Sequence, residues 1–168
     1  MTTKNVCNDW MMVGGHCHYA KDLHWFGDDY KKINPLIVDG EHEVIGIGTV
    51  ELIVRCSTKN FVTQTLVLRN VLHIPEALCN GFEFKSMFEN FKETEGKCYC
   101  YDETKRQVCY GIVLTCHYPK LILNETIGVS HMSGTRDLFL SIWLKKKEMK
   151  HLFGMRYPLY LMPPRSSF

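Results

Sequence analysis

Two apolar runs of period two, separated by a short polar turn, set the main limit on what this chain can fold into. Glu43–Val54 reads EVIGIGTVELIV, rich in β-branched residues, with Val50, Leu52 and Val54 on one face. Phe61–Val71 reads FVTQTLVLRNV and continues through Leu72, His73 and Ile74 until Pro75 stops the ladder. Ser57-Thr58-Lys59-Asn60 between them is turn chemistry, so the two runs are predicted as an antiparallel hairpin. Val38-Asp39-Gly40-Glu41-His42 carries an Asp-Gly hairpin signal ahead of it. Lys97–Tyr101 and Gln107–Thr115 read as a further hairpin around Asp102-Glu103-Thr104-Lys105. Strands at this spacing predict a mainly-β fold of barrel type. Gly46 and Gly48, inside a strand, mark a bend or a close backbone approach.

Helical signals are fewer. Leu78, Phe82, Met87, Phe88 and Phe91 fit one face of a short helix within 76–91, which Gly81 weakens. Over 137–153, Leu138, Phe139, Ile142, Trp143, Met149, Leu152 and Phe153 fit a helical stripe, with Thr135 as cap and Gly154 as terminator. Leu138, Leu140 and Ile142 fit a short strand equally well. The division expected is a β domain over 1–115 and an α or α+β extension over 116–168, ending in a loosely held tail from Pro158.

Composition narrows the partners. A formal charge of +2 gives no strong electrostatic case for nucleic acid or an anionic membrane as the main partner, and no apolar run approaches the ~20 residues that span a bilayer. The first residues, MTTKNVCNDW, lack an apolar stretch and a small-residue cleavage site. The expectation is an intracellular protein, cytoplasmic or nuclear, whose eight cysteines are reduced thiols. Without secretion the sequon at Asn124-Glu125-Thr126 carries little meaning.

The cysteines and histidines do not follow metal-ligand spacing. His16-Cys17-His18 are direct neighbours and Cys98-x-Cys100 has one residue between, whereas zinc sites use two to four. In a strand, Cys98 and Cys100 would share one buried face. No metal or other cofactor is expected, with a Cys/His metal-binding adaptor kept as an alternative. A cysteine nucleophile at Cys17 would need an imidazole to meet its sulfur, which adjacent residues rarely achieve.

The order of the pieces is specific. Trp10-Met11-Met12-Val13-Gly14-Gly15 leads to His18-Tyr19-Ala20-Lys21-Asp22-Leu23-His24-Trp25-Phe26-Gly27-Asp28-Asp29-Tyr30. Val44-x-Gly46-x-Gly48-x-Val50 follows, and then Leu68-x-x-Val71-Leu72-His73-Ile74-Pro75. Over residues 9–111 this resembles the aspartic-protease region of copia-type retrotransposon Pol polyproteins, the fungal branch most of all. The family positions are Trp10, His18, Trp25, Gly46, Gly48, Val71, Leu72 and Pro75. The resemblance implies a small retropepsin-like β-barrel. It also implies a homodimer in which each protomer lends one Asp-Ser/Thr-Gly loop, so that two carboxylates share a proton.

The acid itself is missing. Alignment on Trp10 puts the catalytic position at Val13, and alignment on His18 puts it at Met12. Neither side chain accepts a proton. Gly14 and Gly15 keep the backbone freedom of the loop and none of its chemistry. Asp9 lies three or four residues away, beyond the reach of a dyad, and Asp28-Asp29 read as a turn. The expectation is a catalytically inactive, Pol-derived binding or dimerisation module, able to hold a peptide or protein partner. An aspartic peptidase with an unrecognised acid is the alternative.

Overall fold

The computed structural model describes residues 3–113, 116–132 and 138–154. The chain is mainly β. Its strands are β1 (Trp10–Val13), β2 (Tyr19–Ala20), β3 (Lys31–Val38), β4 (His42–Arg55), β5 (Thr63–His73), β6 (Asn80–Glu83), β7 (Asn90–Thr94), β8 (Lys97–Tyr101), β9 (Gln107–Val113) and β10 (Pro119–Leu121). Among the described residues there are also one α-helix, α1 (Lys146–Phe153), and 3₁₀ turns at Thr3–Asn5 and Leu23–Trp25.

The ten strands form one mixed sheet in the order β3-β4-β5-β2-β6-β1-β10-β9-β8-β7. The sheet is open, with β3 and β7 as its edges, which corrects the closed barrel expected from strand spacing. It curls instead. The end of β4 meets the chain after β10 at a bridge between Val54 and Leu123, with Arg55 N donating to Ile122 O at 3.1 Å and Asn124 N to Ile53 O at 2.8 Å.

The predicted hairpins form where period two was clean. β3 and β4 turn at Asp39-Gly40, and β4 pairs with β5 from Gly46↔His73 to Arg55↔Thr63. Phe61 lies outside β5, with its ring under the Arg55 guanidinium at 5.1 Å. β8 and β9 pair as read, and Cys98, Cys100 and Cys109 point into the core.

Two helical expectations are corrected. Residues 76–91 hold no helix; β6 and β7 lie there instead. β6 is drawn into a slot between β1 and β2, where Asn80 N donates to Asp9 O at 2.9 Å and the Tyr19 ring covers Gly81. Pairing on both sides supplies more backbone bonds than an isolated helical turn interrupted by glycine. The helix read over 137–153 starts only at Lys146, and residues 138–145 carry no regular structure beyond the bridge at Ile142. Glu148 Oε2 accepts the Lys145 N–H at 2.7 Å and Gly154, at φ +77°, ends the helix. Asp137, Thr135 and the tail from Pro158 lie outside the described residues.

β1 is buried on both faces, as a central strand requires. Trp10 and Met12 enter one core with Leu52, Leu68 and Phe82. Met11 and Val13 enter a second core with Leu72, Leu140, Ile142 and Met149. β10 sits between β1 and β9, so the chain beyond 115 contributes to the middle of the sheet.

Candidate functional site

The loop after β1 is where the family resemblance places chemistry. Met12 and Val13 are 1% and 0% exposed, so the two candidate acid positions point into opposite cores and neither opens onto a cleft. Met12 Sδ packs against Gly111. The question of register between the two therefore has the same chemical answer at either residue: an apolar side chain in an apolar pocket.

The loop's remaining face is covered by residues 140–144 of the same chain. Gly15 bridges Ile142 in parallel, and His16 N donates to Ile142 O at 2.9 Å. Gly14 N donates to Ser141 Oγ at 3.0 Å, and Leu144 N to His16 Nδ1 at 2.9 Å. Tyr19 Oη donates to Leu140 O at 2.6 Å. Gly15 has φ +85° and its Cα faces the Ile142 backbone so closely that a Cβ would come within 2.9 Å of Ile142 N. Glycine here serves two needs at once, a left-handed turn and a backbone-to-backbone approach. Leu140, Ile142 and Leu144 are buried, while Trp143 is exposed and sets its ring edge-on to His16 at 5.0 Å.

His18 is buried beneath the loop. Its Nδ1 accepts from Glu83 N at 2.9 Å and its ring stacks on Phe82. Burial holds its pKa down at about 4, so it is neutral and structural. Neither His16 nor His18 hydrogen-bonds the Cys17 thiol, which is buried and pushed well above its ordinary pKa by burial and by nearby Glu83 and Asp39. That is the opposite of an activated nucleophile.

Two buried carboxylates lie near β1. Glu83, paired in register with Val13, is 3% exposed, and burial raises its pKa against the opposing pull of Ser86, whose N–H it accepts at 3.2 Å. No motif pointed to it; the one available sign was a carboxylate flanked by Phe82 and Phe84. Asp9 is 1% exposed and fully engaged. It accepts from Lys120 Nζ at 2.9 Å, Ser130 Oγ at 2.9 Å, His131 N at 2.7 Å and Met132 N at 3.1 Å. Burial works to raise its pKa, but Lys120 and these donors hold it below the usual carboxylate value. A carboxylate with this many donors is a strut, with no lone pair directed at a substrate. Asp9 and Glu83 are not hydrogen-bonded to each other.

Among the other positions that the resemblance singles out, Trp10 and Val71 lie in the first core and Leu72 in the second. Trp10 and Trp25 meet edge to face at 5.5 Å, and Trp25 Nε1 donates to Cys7 O at 3.0 Å. The Tyr30 ring covers Gly46, and a Cβ at Gly48 would come within 3.1 Å of Phe26 Cδ1. Asp29 accepts from Thr49 N at 2.9 Å and Thr49 Oγ1 at 2.6 Å, so it braces the strand that carries both glycines. Val71 and Leu72 are buried, and Pro75 follows Ile74, whose N–H goes to Ala20 O at 2.9 Å. Among the described residues no group of three or more His, Cys, Asp or Glu is placed to hold a metal ion. No helix among them is long and apolar enough to cross a membrane. Comparison with protein-family models, with curated proteins and with solved structures gives no match.

Proposed function

We propose that this chain is a catalytically silent β module of copia-type retrotransposon Pol origin, an opened relative of the retropepsin-like barrel that works by binding rather than by cleaving. One observation carries the reading: the position that a peptidase fills with aspartate falls at Met12 or Val13, and both are sealed in apolar cores. The ordered sequence blocks support the origin, and the docking of Phe26 and Tyr30 over Gly48 and Gly46 gives their spacing a physical reason.

In this reading the loop face no longer meets a second protomer, because residues 140–144 occupy it. Partner contacts, including any second copy, belong to other surfaces. All eight cysteines are unbridged, which suits a reducing, intracellular compartment. The test is incubation of the purified protein with a peptide library, with and without a pepstatin-type inhibitor. No cleavage is expected; cleavage that the inhibitor blocks would overturn the reading.

A further inference from the structure

The lysines at 145–150 have no part in the function proposed above. α1 places Lys147, Lys150 and His151 along a groove of about 710 Å³, together with Lys145 and Glu148. Its opposite wall is Leu36 and Ile37 of β3. The charges in this groove are unbalanced. The carboxylate of Glu148 accepts the Lys145 N–H. Among the described residues, Lys145, Lys147 and Lys150 form no ion pair. Residues 155–168 contain no Asp or Glu.

Among the described residues the β3 wall is a free strand edge. β3 is the terminal strand of the sheet, and among the described residues Lys31–Ile37 make no backbone hydrogen bond outside the ladder with β4. Pro35, and a register shift between Lys32 and Leu36, disrupt the N-terminal half of that edge. Leu36 and Ile37 therefore offer its usable part, and Ile37 is 53% exposed. A groove between an edge strand and a helix seats an extended peptide by strand addition: backbone bonds give affinity, and the side walls select the sequence.

We propose that the groove between β3 and α1 binds a short, extended, acidic peptide segment of a partner protein. The peptide backbone pairs with β3 at Leu36 and Ile37, an apolar side chain rests on Ile37, and alternate carboxylates face Lys145, Lys147 and Lys150. A nucleic acid or anionic membrane would use the lysines alone and leave the strand edge and Ile37 without a partner.

Fluorescence anisotropy on the full chain tests this with three dye-labelled probes: a peptide of alternating Glu and Val, its Lys and Val counterpart, and a single-stranded oligonucleotide. The acidic peptide is expected to bind at least ~10-fold more tightly than either other probe, with affinity falling as salt rises. Both substituted positions in Lys147→Glu/Lys150→Glu are exposed, so its thermal unfolding should match the parent, and acidic-peptide binding should weaken ~10-fold or more. Amide chemical-shift changes on binding should include Leu36 and Ile37. Equal binding by the charge-reversed variant, preference for the oligonucleotide, or no acidic-peptide binding up to about 1 mM would each overturn the proposal.

Discussion

The Tyr30 hydroxyl meets His73 Nδ1 at 2.8 Å by crossing Gly46, the residue that faces His73 on the adjoining strand. The tyrosine thus clamps a strand pair from above, and the glycine is the gap it passes through. Gly46→Ala should destabilise the fold by ~1–3 kcal/mol through overpacking, measured by chemical denaturation. Tyr30→Phe should cost about 1 kcal/mol for the lost hydrogen bond. In a Tyr30→Ala background the Gly46→Ala penalty should largely vanish; a penalty that persists would mean that the ring is not what the glycine makes room for.

His18 gives stability a pH dependence of defined sign. Its folded pKa, about 4, lies below the ordinary 6.5 because burial disfavours the charged ring. The unfolded chain binds the proton more readily, so this contribution is intact above about pH 6.5 and is lost as pH falls toward 4, amounting to about 3 kcal/mol. Glu83 acts in the opposite sense: with its pKa raised by burial, its share is present below its ordinary 4.5 and is lost as pH rises through the folded value. The difference between wild type and His18→Gln isolates the histidine. Parallel pH profiles for the two would show that His18 titrates freely in the fold.

Asp9 ties three remote stretches together, with Lys120 from β10 and the backbone of His131 and Met132. Asp9→Asn leaves a partly buried ammonium without its carboxylate and should cost ~3–5 kcal/mol. Amide exchange at 129–132 should accelerate in the variant. Adding Lys120→Met should recover part of the loss, because the stranded charge is then removed as well.

Placing an acid at either candidate position should not create chemistry. Val13→Asp and Met12→Asp each bury a carboxylate in an apolar core, which costs several kcal/mol by desolvation. Neither variant should cleave peptides at any pH between 4 and 8. Turnover in either would show that a cleft opens there.

The thiols should be silent in the native state. All eight cysteines are buried, and burial lifts Cys7 to about 11 and Cys79 to about 12. Thiolate, the reactive form, is scarce at neutral pH. Ellman's reagent should label the folded protein slowly and all eight sites at once in denaturant. Fast labelling of one site without denaturant would mark a local opening.

The sequence disclosed what local periodicity controls. Val50, Leu52 and Val54 share a buried face as read, and Cys98 and Cys100 point inward together, because alternation in a strand needs no knowledge of its partners. Gly46 and Gly48 were legible as close approaches, and the residues approaching them lay in the adjacent motif. β6 was not legible: its conformation is set by β1 and β2 on either side, which outweigh its own helical pattern. Nor was the covering of Gly14 and Gly15, since Ser141 and Ile142 lie far along the chain and carry no local sign of their destination. That Met12 and Val13 are apolar was readable at once from residue types; that both are sealed needed the fold.

The place of β10 beside β1 bears on how the protein is made. Met11 leaves the ribosome early, while its neighbour in the sheet, Lys120, leaves late, and Ile142 later still. Until then β1 lacks one flank and the glycine loop lacks its cover. Contacts this distant close slowly, so the nascent chain passes through a stage in which this wholly apolar strand is paired on one side only. A chain cut after residue 115 would be held at that stage, and in a cell it would meet chaperones and proteases before it met a partner.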